Sequence, residues 1–187
     1  MNSADYFEVF SDGSTYNNFK DKSKPSFASC GVVITYKENV IRKGSKFFDN
    51  QTISYAELKG AILVLDLLKK RIIDRHPDFI LPPYNVKLYS DSQFVIKSIN
   101  EWMPNWIAKC NDWRKDIWYN ASGSVVGQYE LFRQIKQDYL DNEDWNIEFI
   151  HIKGHTNKTD FYSRMNDLCD NLATSVTKAK KKELGLS

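Results

Sequence analysis

The spacing of apolar positions changes several times along this chain, and each change marks an element. Tyr6–Ser11 (YFEVFS) is apolar and rich in β-forming residues, which predicts a strand stopping at Asp12–Gly13–Ser14. A polar loop follows, through Ser26. Cys30–Tyr36 and Val40–Phe48 are two further apolar runs split by Lys37–Glu38–Asn39, the pattern of a hairpin. From Ser54 to about Arg75 the apolar positions Ala56, Leu58, Ala61, Ile62, Leu65 and Leu68 recur at helical steps. Ser54 with Glu57 fits a capping box and places helix entry at Ser54; Pro77, Pro82 and Pro83 end the helix. Val86–Ser90 predicts a short strand running into Asp91, with a short helix over Ser92–Ile99 behind it. Trp102 to Gly127 is aromatic, polar and irregular. Gln128–Leu140 predicts a helix, Asn146–Ile152 alternates as a strand, and Asp160 to about Lys182 predicts the last helix. Antiparallel connections come first and α/β crossovers later, so the order implies an α/β fold with a mixed sheet and helices packed on it.

Composition narrows the class without naming it. The chain has 187 residues, 42% hydrophobic and 14% aromatic, enough for one domain with a substantial core. Neither repeats nor an interdomain linker stand out, so residues 1–187 read as a single domain. Charged residues make up 27% but leave a net of only +2, so placement of charge matters more than its sum. Cys30, Cys110 and Cys169 are far apart and form no CxxC pair, which argues against a disulfide framework or a zinc site. No stretch approaches a membrane span, and Met1–Phe10 lacks the apolar run of a secretory signal. The expectation is a cytoplasmic monomer with no membrane partner. The basic run Lys178–Lys182 reads as a solvated helix end.

Three acids stand where acids are otherwise awkward. Asp12 follows an apolar strand, Asp91 ends another, and Glu57 sits in the first turn of a helix beside positions that must face the sheet. A fourth, Asp170, lies on the last helix, sharing a face with Asp167. Taken singly, Asp12–Gly13–Ser14 is a turn, Asp91–Ser92 an N-cap, Glu57 a capping partner and Asp170 a solvated acid. Taken jointly, strand ends and helix starts at one edge of an open sheet can converge on one point. Four carboxylates there would repel one another unless a divalent cation neutralised them. Hard oxygen donors favour magnesium or manganese, and two such ions serve phosphodiester hydrolysis.

From about Phe7 to Ala173 the chain resembles the ribonuclease H type 1 family. The matching pieces are FSDGS, TISYAELKGAILVL, LYSDSQFVIKSI and IKGHTNKTDFYSRMNDLCDNLA. The resemblance implies a ribonuclease-H-like fold: a five-stranded mixed sheet, its first three strands antiparallel, with helices on both faces. It implies an endoribonuclease that cleaves the RNA strand of RNA–DNA hybrids with two Mg2+ ions, Mn2+ able to substitute, leaving 5′-phosphate and 3′-hydroxyl ends. Asp12, Glu57, Asp91 and Asp170 would be the metal ligands, and His155 would assist proton transfer or product release. For substrate, Gln93 would enter the minor groove, with Gly13, Ser14 and Ser54 lining the same surface. Thr52 and Asn18 would hold a phosphate of the DNA strand. Trp102 and Trp106 fall in a handle-like segment at about 101–127 and would pack on deoxyribose.

The sequence departs from the family pattern in places. Tyr16–Asn17–Asn18–Phe19–Lys20–Asp21 replaces a glycine-rich turn, and Ile53–Ser54 replaces a polar pair often formed by asparagines. His155 lies fifteen positions before Asp170, a long interval for this family. Between Lys97 and Asp116 the cations Lys97, Lys109, Arg114 and Lys115 are opposed by Glu101, Asp112 and Asp116, so the handle is not strongly basic. Two other readings stay open: a nuclease of the same fold acting on a different nucleic acid, and a non-catalytic nucleic-acid-binding module.

Overall fold

The computed structural model describes residues 6–75, 82–110, 117–154 and 159–186. Strand β1, Phe7–Tyr16, continues well past the expected stop at Ser11. The reason is its neighbour. Every residue of β1 faces one of β2 (Phe27–Tyr36) in an antiparallel ladder from Phe7↔Tyr36 to Tyr16↔Phe27. Ladder hydrogen bonds on that side override the local turn signal of Asp12–Gly13–Ser14. Asp12 is therefore inside a strand, opposite Gly31.

Strand β2 returns through Lys37 and Glu38, both left-handed (φ 50 and 60), into β3, Asn39–Asp49. A two-residue left-handed turn matches the twist of the strands it joins. Strand β4, Tyr84–Ser90, pairs parallel with β1 over Phe7↔Val86 to Phe10↔Tyr89, and β5, Trp145–His151, pairs parallel with β4. The sheet order is β3-β2-β1-β4-β5, the mixed five-stranded arrangement expected. Because the β1–β4 ladder stops at Phe10, the β4-side edge of β1 carries no ladder bonds beyond it.

Helix α1 spans Ile53–Arg75. Its cap is Thr52, not Ser54: the Thr52 hydroxyl accepts from the Tyr55 amide (3.2 Å) and the Thr52 carbonyl from the Ala56 amide (3.2 Å). Entry two residues early leaves Glu57 outside any capping box and frees its carboxylate. The region after β4 is α2 (Gln93–Lys97), a wider π turn (Ser98–Trp102) and α3 (Met103–Ala108). Helix α4, Tyr129–Ile135, also ends in a π turn, Lys136–Leu140. Helix α5, Phe161–Glu183, is N-capped by Asp160, whose Oδ1 accepts from the Ser163 amide (3.1 Å).

Successive residues of β1 point to opposite faces. Val9 joins the larger core cluster with Leu58, Ala61, Leu65 and Leu68 of α1. Phe10 joins a second cluster with Cys169 of α5. Helices thus cover both faces. Fully burying each of these leucines contributes about 1.5–3 kcal/mol, so α1 is anchored tightly enough to fix the direction of Glu57. No helix among the described residues is long and apolar enough to cross a membrane.

Candidate active site

Asp12 shares the α5 face of β1 with Phe10 and is only 8% exposed. Burial pushes its carboxyl up to about 7, and the negative charges of Asp91, Asp170 and Glu57 add to the rise. The Gly13 amide, donating to Asp12 Oδ1 at 2.6 Å, works against it. Asp12 therefore feels the charge of each of the other three predicted acids in a poorly solvated space.

The other three are each held by named partners. Asp91, the first residue past β4, receives Asn166 Nδ2 of α5 on its Oδ2 at 3.4 Å. Glu57 accepts from the Ser92 hydroxyl at 2.8 Å. Ser92 Oγ also accepts from the Val95 amide (3.3 Å), so one side chain caps α2 and fixes Glu57. Burial raises the Glu57 pKa, the Ser92 bond lowers it, and the Asp91 charge raises it again. Asp170 accepts from Thr174, one turn further along α5, at 3.0 Å. The side chains influence one another without closing up: among the described residues no group of three acidic, histidine or cysteine side chains is gathered to hold one ion.

Two glycines make room for this arrangement. A Cβ at Gly13 would lie 2.9 Å from Glu57 Cγ, and one at Gly154 only 2.0 Å from Asp91 Oδ2. Asn166 is 2% exposed, and its Oδ1 is buried with no hydrogen-bond partner. Gly154 and Asn166 belong to the GH and N-D-x-x-D pieces of the sequence, yet neither is predicted as a site residue. Ser92 reads only as an N-cap, and nothing in the sequence singles out Thr174.

His155 lies outside the described residues, as do Asp112, Arg114, Lys115 and Asp116 of the handle. The remaining predicted contacts fall into two groups. Asn17, Asn18 and Phe19 all have positive φ (65, 47 and 60), so asparagines take the left-handed positions usual for glycine. That turn brings Asn18 Oδ1 to accept from the Ile53 amide at 3.0 Å, beside Thr52. Both side-chain oxygens are thus engaged as acceptors by α1, leaving the Asn18 amide group and the Thr52 hydroxyl hydrogen as donors. Ser14 is half-buried on the face of Asp12. In the second group, Ser54, Phe94, Trp102, Trp106, Gln128 and Phe132 line a cavity of about 380 Å³. Trp102 is 39% exposed there, whereas Trp106 is 9% exposed and packs on Phe132 with ring centroids 5.2 Å apart. Trp106 spends most of its surface on the core, and Trp102 and the exposed Gln93 present theirs outward.

Comparison with known proteins places this geometry in context. A family model described as RNase H matches residues 4–178. A ribonuclease H of Caldanaerobacter subterraneus subsp. tengcongensis is 30% identical over 182 residues, covering 97% of each chain. A foamy viral protease–reverse transcriptase solved with double-stranded DNA superposes with a TM-score of 0.66 at 20% identity, over 94% of this chain and 96% of that one. LC11-RNase H1, solved with an RNA/DNA hybrid, superposes with a TM-score of 0.56 at 19% identity, over 91% and 98%.

Proposed function

The chain belongs to the RNase H family, and on that premise we propose that it hydrolyses the RNA strand of RNA–DNA hybrids by two-metal-ion catalysis, leaving 5′-phosphate and 3′-hydroxyl ends. The observation that supports this best is the Asp12 carboxyl, nearly buried and pushed up to about 7 among three further carboxylates. Such a group is costly without a cation and well matched to one. The proposed donor set is four carboxylates, and hard oxygen donors of this kind fit magnesium or manganese. When bound, two such ions supply an activated water and offset the charge of the leaving oxygen.

The protein's own residues do the positioning. Asp12, Glu57, Asp91 and Asp170 would be the side chains that hold the ions. Ser92 and Asn166 keep Glu57 and Asp91 from swinging out of the pocket. Asn18 and Thr52 offer donors to a phosphate of the DNA strand. Trp102 and Gln93 offer surface to deoxyribose and to the minor groove. His155 would assist proton transfer or product release.

The test is a side-by-side digestion of hybrid, duplex DNA and duplex RNA, with magnesium and with EDTA. Cleavage of the RNA strand of the hybrid alone, lost in EDTA, is the expected result; preferential cleavage of either duplex would overturn the reading. A second expectation concerns Gly154→Ala. The three atoms an added methyl would meet first all belong to Asp91, its carboxylate oxygen nearest. Turnover should fall about 10- to 100-fold, the cost of misplacing a reacting group by about 1 Å, while the thermal midpoint stays near that of the unaltered protein. Unchanged turnover would remove Asp91 from the site.

A further inference from the structure

A site built from four carboxylates repels the polyanion it must hold, so cations are needed close by. The segment from Lys97 to Asp116 supplies a surplus of only one, four basic residues against three acids. The structure offers cations elsewhere. Helix α5 continues from Asp170 to Glu183 and carries Lys178, Lys180, Lys181 and Lys182. At 100° per residue, Asp170, Thr174, Lys178 and Lys181 fall on one flank of the helix and Lys180 on the other.

That flank borders the edge of β1 that β4 leaves unpaired. Along that edge Asp12, Ser14 and Tyr16 point to the α5 face in alternation. The Lys181 Nζ sits 5.5 Å from the centroid of the Tyr16 ring, which stacks on Phe27 at 5.1 Å. The lysine is thereby fixed over an aromatic floor instead of being free in solvent. Lys180 differs: it lies over Phe47 (5.7 Å) and pairs with Glu183 (2.6 Å). A strip of surface thus runs from the carboxylates past Ser14 and Thr174 to Lys178 and Lys181. Asp170 to Lys181 covers about 16 Å at a rise of about 1.5 Å per residue. That corresponds to roughly five nucleotide steps at about 3.4 Å each along a duplex axis.

We propose that this flank of α5, with Tyr16 beneath Lys181, is a second phosphate-binding track that holds the nucleic-acid backbone several nucleotides away from the carboxylates. The inference rests on the hybrid-cleaving reading and extends it. Its contacts are to phosphate, so they add affinity and orientation without sequence preference.

The test compares Lys178→Ala/Lys181→Ala with Lys180→Ala, both in an Asp12→Asn background that keeps the hybrid intact in magnesium. Binding of a hybrid long enough to span the strip is measured over a range of salt. Loss of two phosphate contacts should make the slope of log affinity against log salt shallower by about 1.8 and weaken binding near physiological salt about tenfold. Lys180→Ala should leave the slope unchanged. An unchanged slope in the double variant, or an equal loss in Lys180→Ala, overturns the track. Hydrolysis of the hybrid by the unaltered chain is scored separately. Failure there sinks the cleavage reading alone, because the slopes are read without turnover.

Discussion

Asp12→Asn is expected to lower hybrid hydrolysis by about a thousand-fold or more while making the metal-free protein harder to unfold. The first effect follows from charge. If Asp12 is a ligand of the proposed ions, removing its charge should remove several kcal/mol of metal-dependent stabilisation of the transition state, and each factor of ten in rate corresponds to about 1.36 kcal/mol. The second follows from burial. In the folded, metal-free protein the Asp12 carboxyl is pushed up to about 7 from an ordinary value of 3.8. Between those values the folded state still holds a proton that the unfolded chain has released. Stability of the metal-free protein therefore falls as pH rises through that window and levels off above it. An asparagine neither releases the proton nor repels Asp91, Asp170 and Glu57. The variant should gain on the order of 2 kcal/mol at pH 8, or about 4–8 °C in thermal midpoint, and almost nothing at pH 4. Thermal unfolding in EDTA at the two pH values measures this. Equal midpoints for both proteins at pH 8 would mean that the four acids do not share a pocket.

The parts of this design that repeat with a period were legible in the chain. Alternation marked β5, runs of apolar and β-forming residues marked the other strands, and the spacing of Leu58, Leu65 and Leu68 marked α1, because those positions are set by burial. Features set by a partner distant in sequence were not. Asp12–Gly13–Ser14 reads as a turn, yet β2 pairs with each of the three. Ser54 is as good a cap as Thr52 by residue type, and only the path of the chain past Asn18 decides between them. The π turns at Ser98–Trp102 and Lys136–Leu140 leave no mark on apolar spacing. In the site, the acids could be picked out by the oddness of their positions. Ser92 and Asn166 could not be assigned, because their role is to touch a carboxylate more than thirty residues away. The lysines of α5 show the same limit: as sequence they are a solvated helix end, and only the fold sets Lys181 over Tyr16.

The placement of Asp170 beside Asp12 depends on how closely α5 can lie on β2, and Gly31 sets that distance. A Cβ at Gly31 would stand 2.0 Å from the Cys169 carbonyl oxygen, 2.8 Å from the Ala173 amide nitrogen and 2.9 Å from Leu172 Cβ. The two closest atoms are helix backbone, so no rotamer change relieves the clash; the helix itself has to move outward. Moving it stretches two buried bonds of Ser29, to the Ala173 carbonyl and to the Thr177 hydroxyl, each 2.7 Å. Overpacking costs about 1–3 kcal/mol and each weakened buried hydrogen bond about 1 kcal/mol. Gly31→Ala is therefore expected to destabilise the protein by about 3–4 kcal/mol, or roughly 10 °C in thermal midpoint. Hydrolysis should fall with it even well below the new midpoint, since Gly31 is paired with Asp12 and the displaced helix carries Asp170 away. Gly44→Ala is the control. Its Cβ would meet only Leu67 Cδ1 at 3.6 Å and Val32 Cγ2 at 3.8 Å, ordinary contacts, and alanine suits a strand interior better than glycine. That variant should match or slightly exceed the unaltered midpoint with full activity. If Gly31→Ala and Gly44→Ala melt together, α5 does not press on β2 at this point, and the distance between Asp12 and Asp170 must be set by something else.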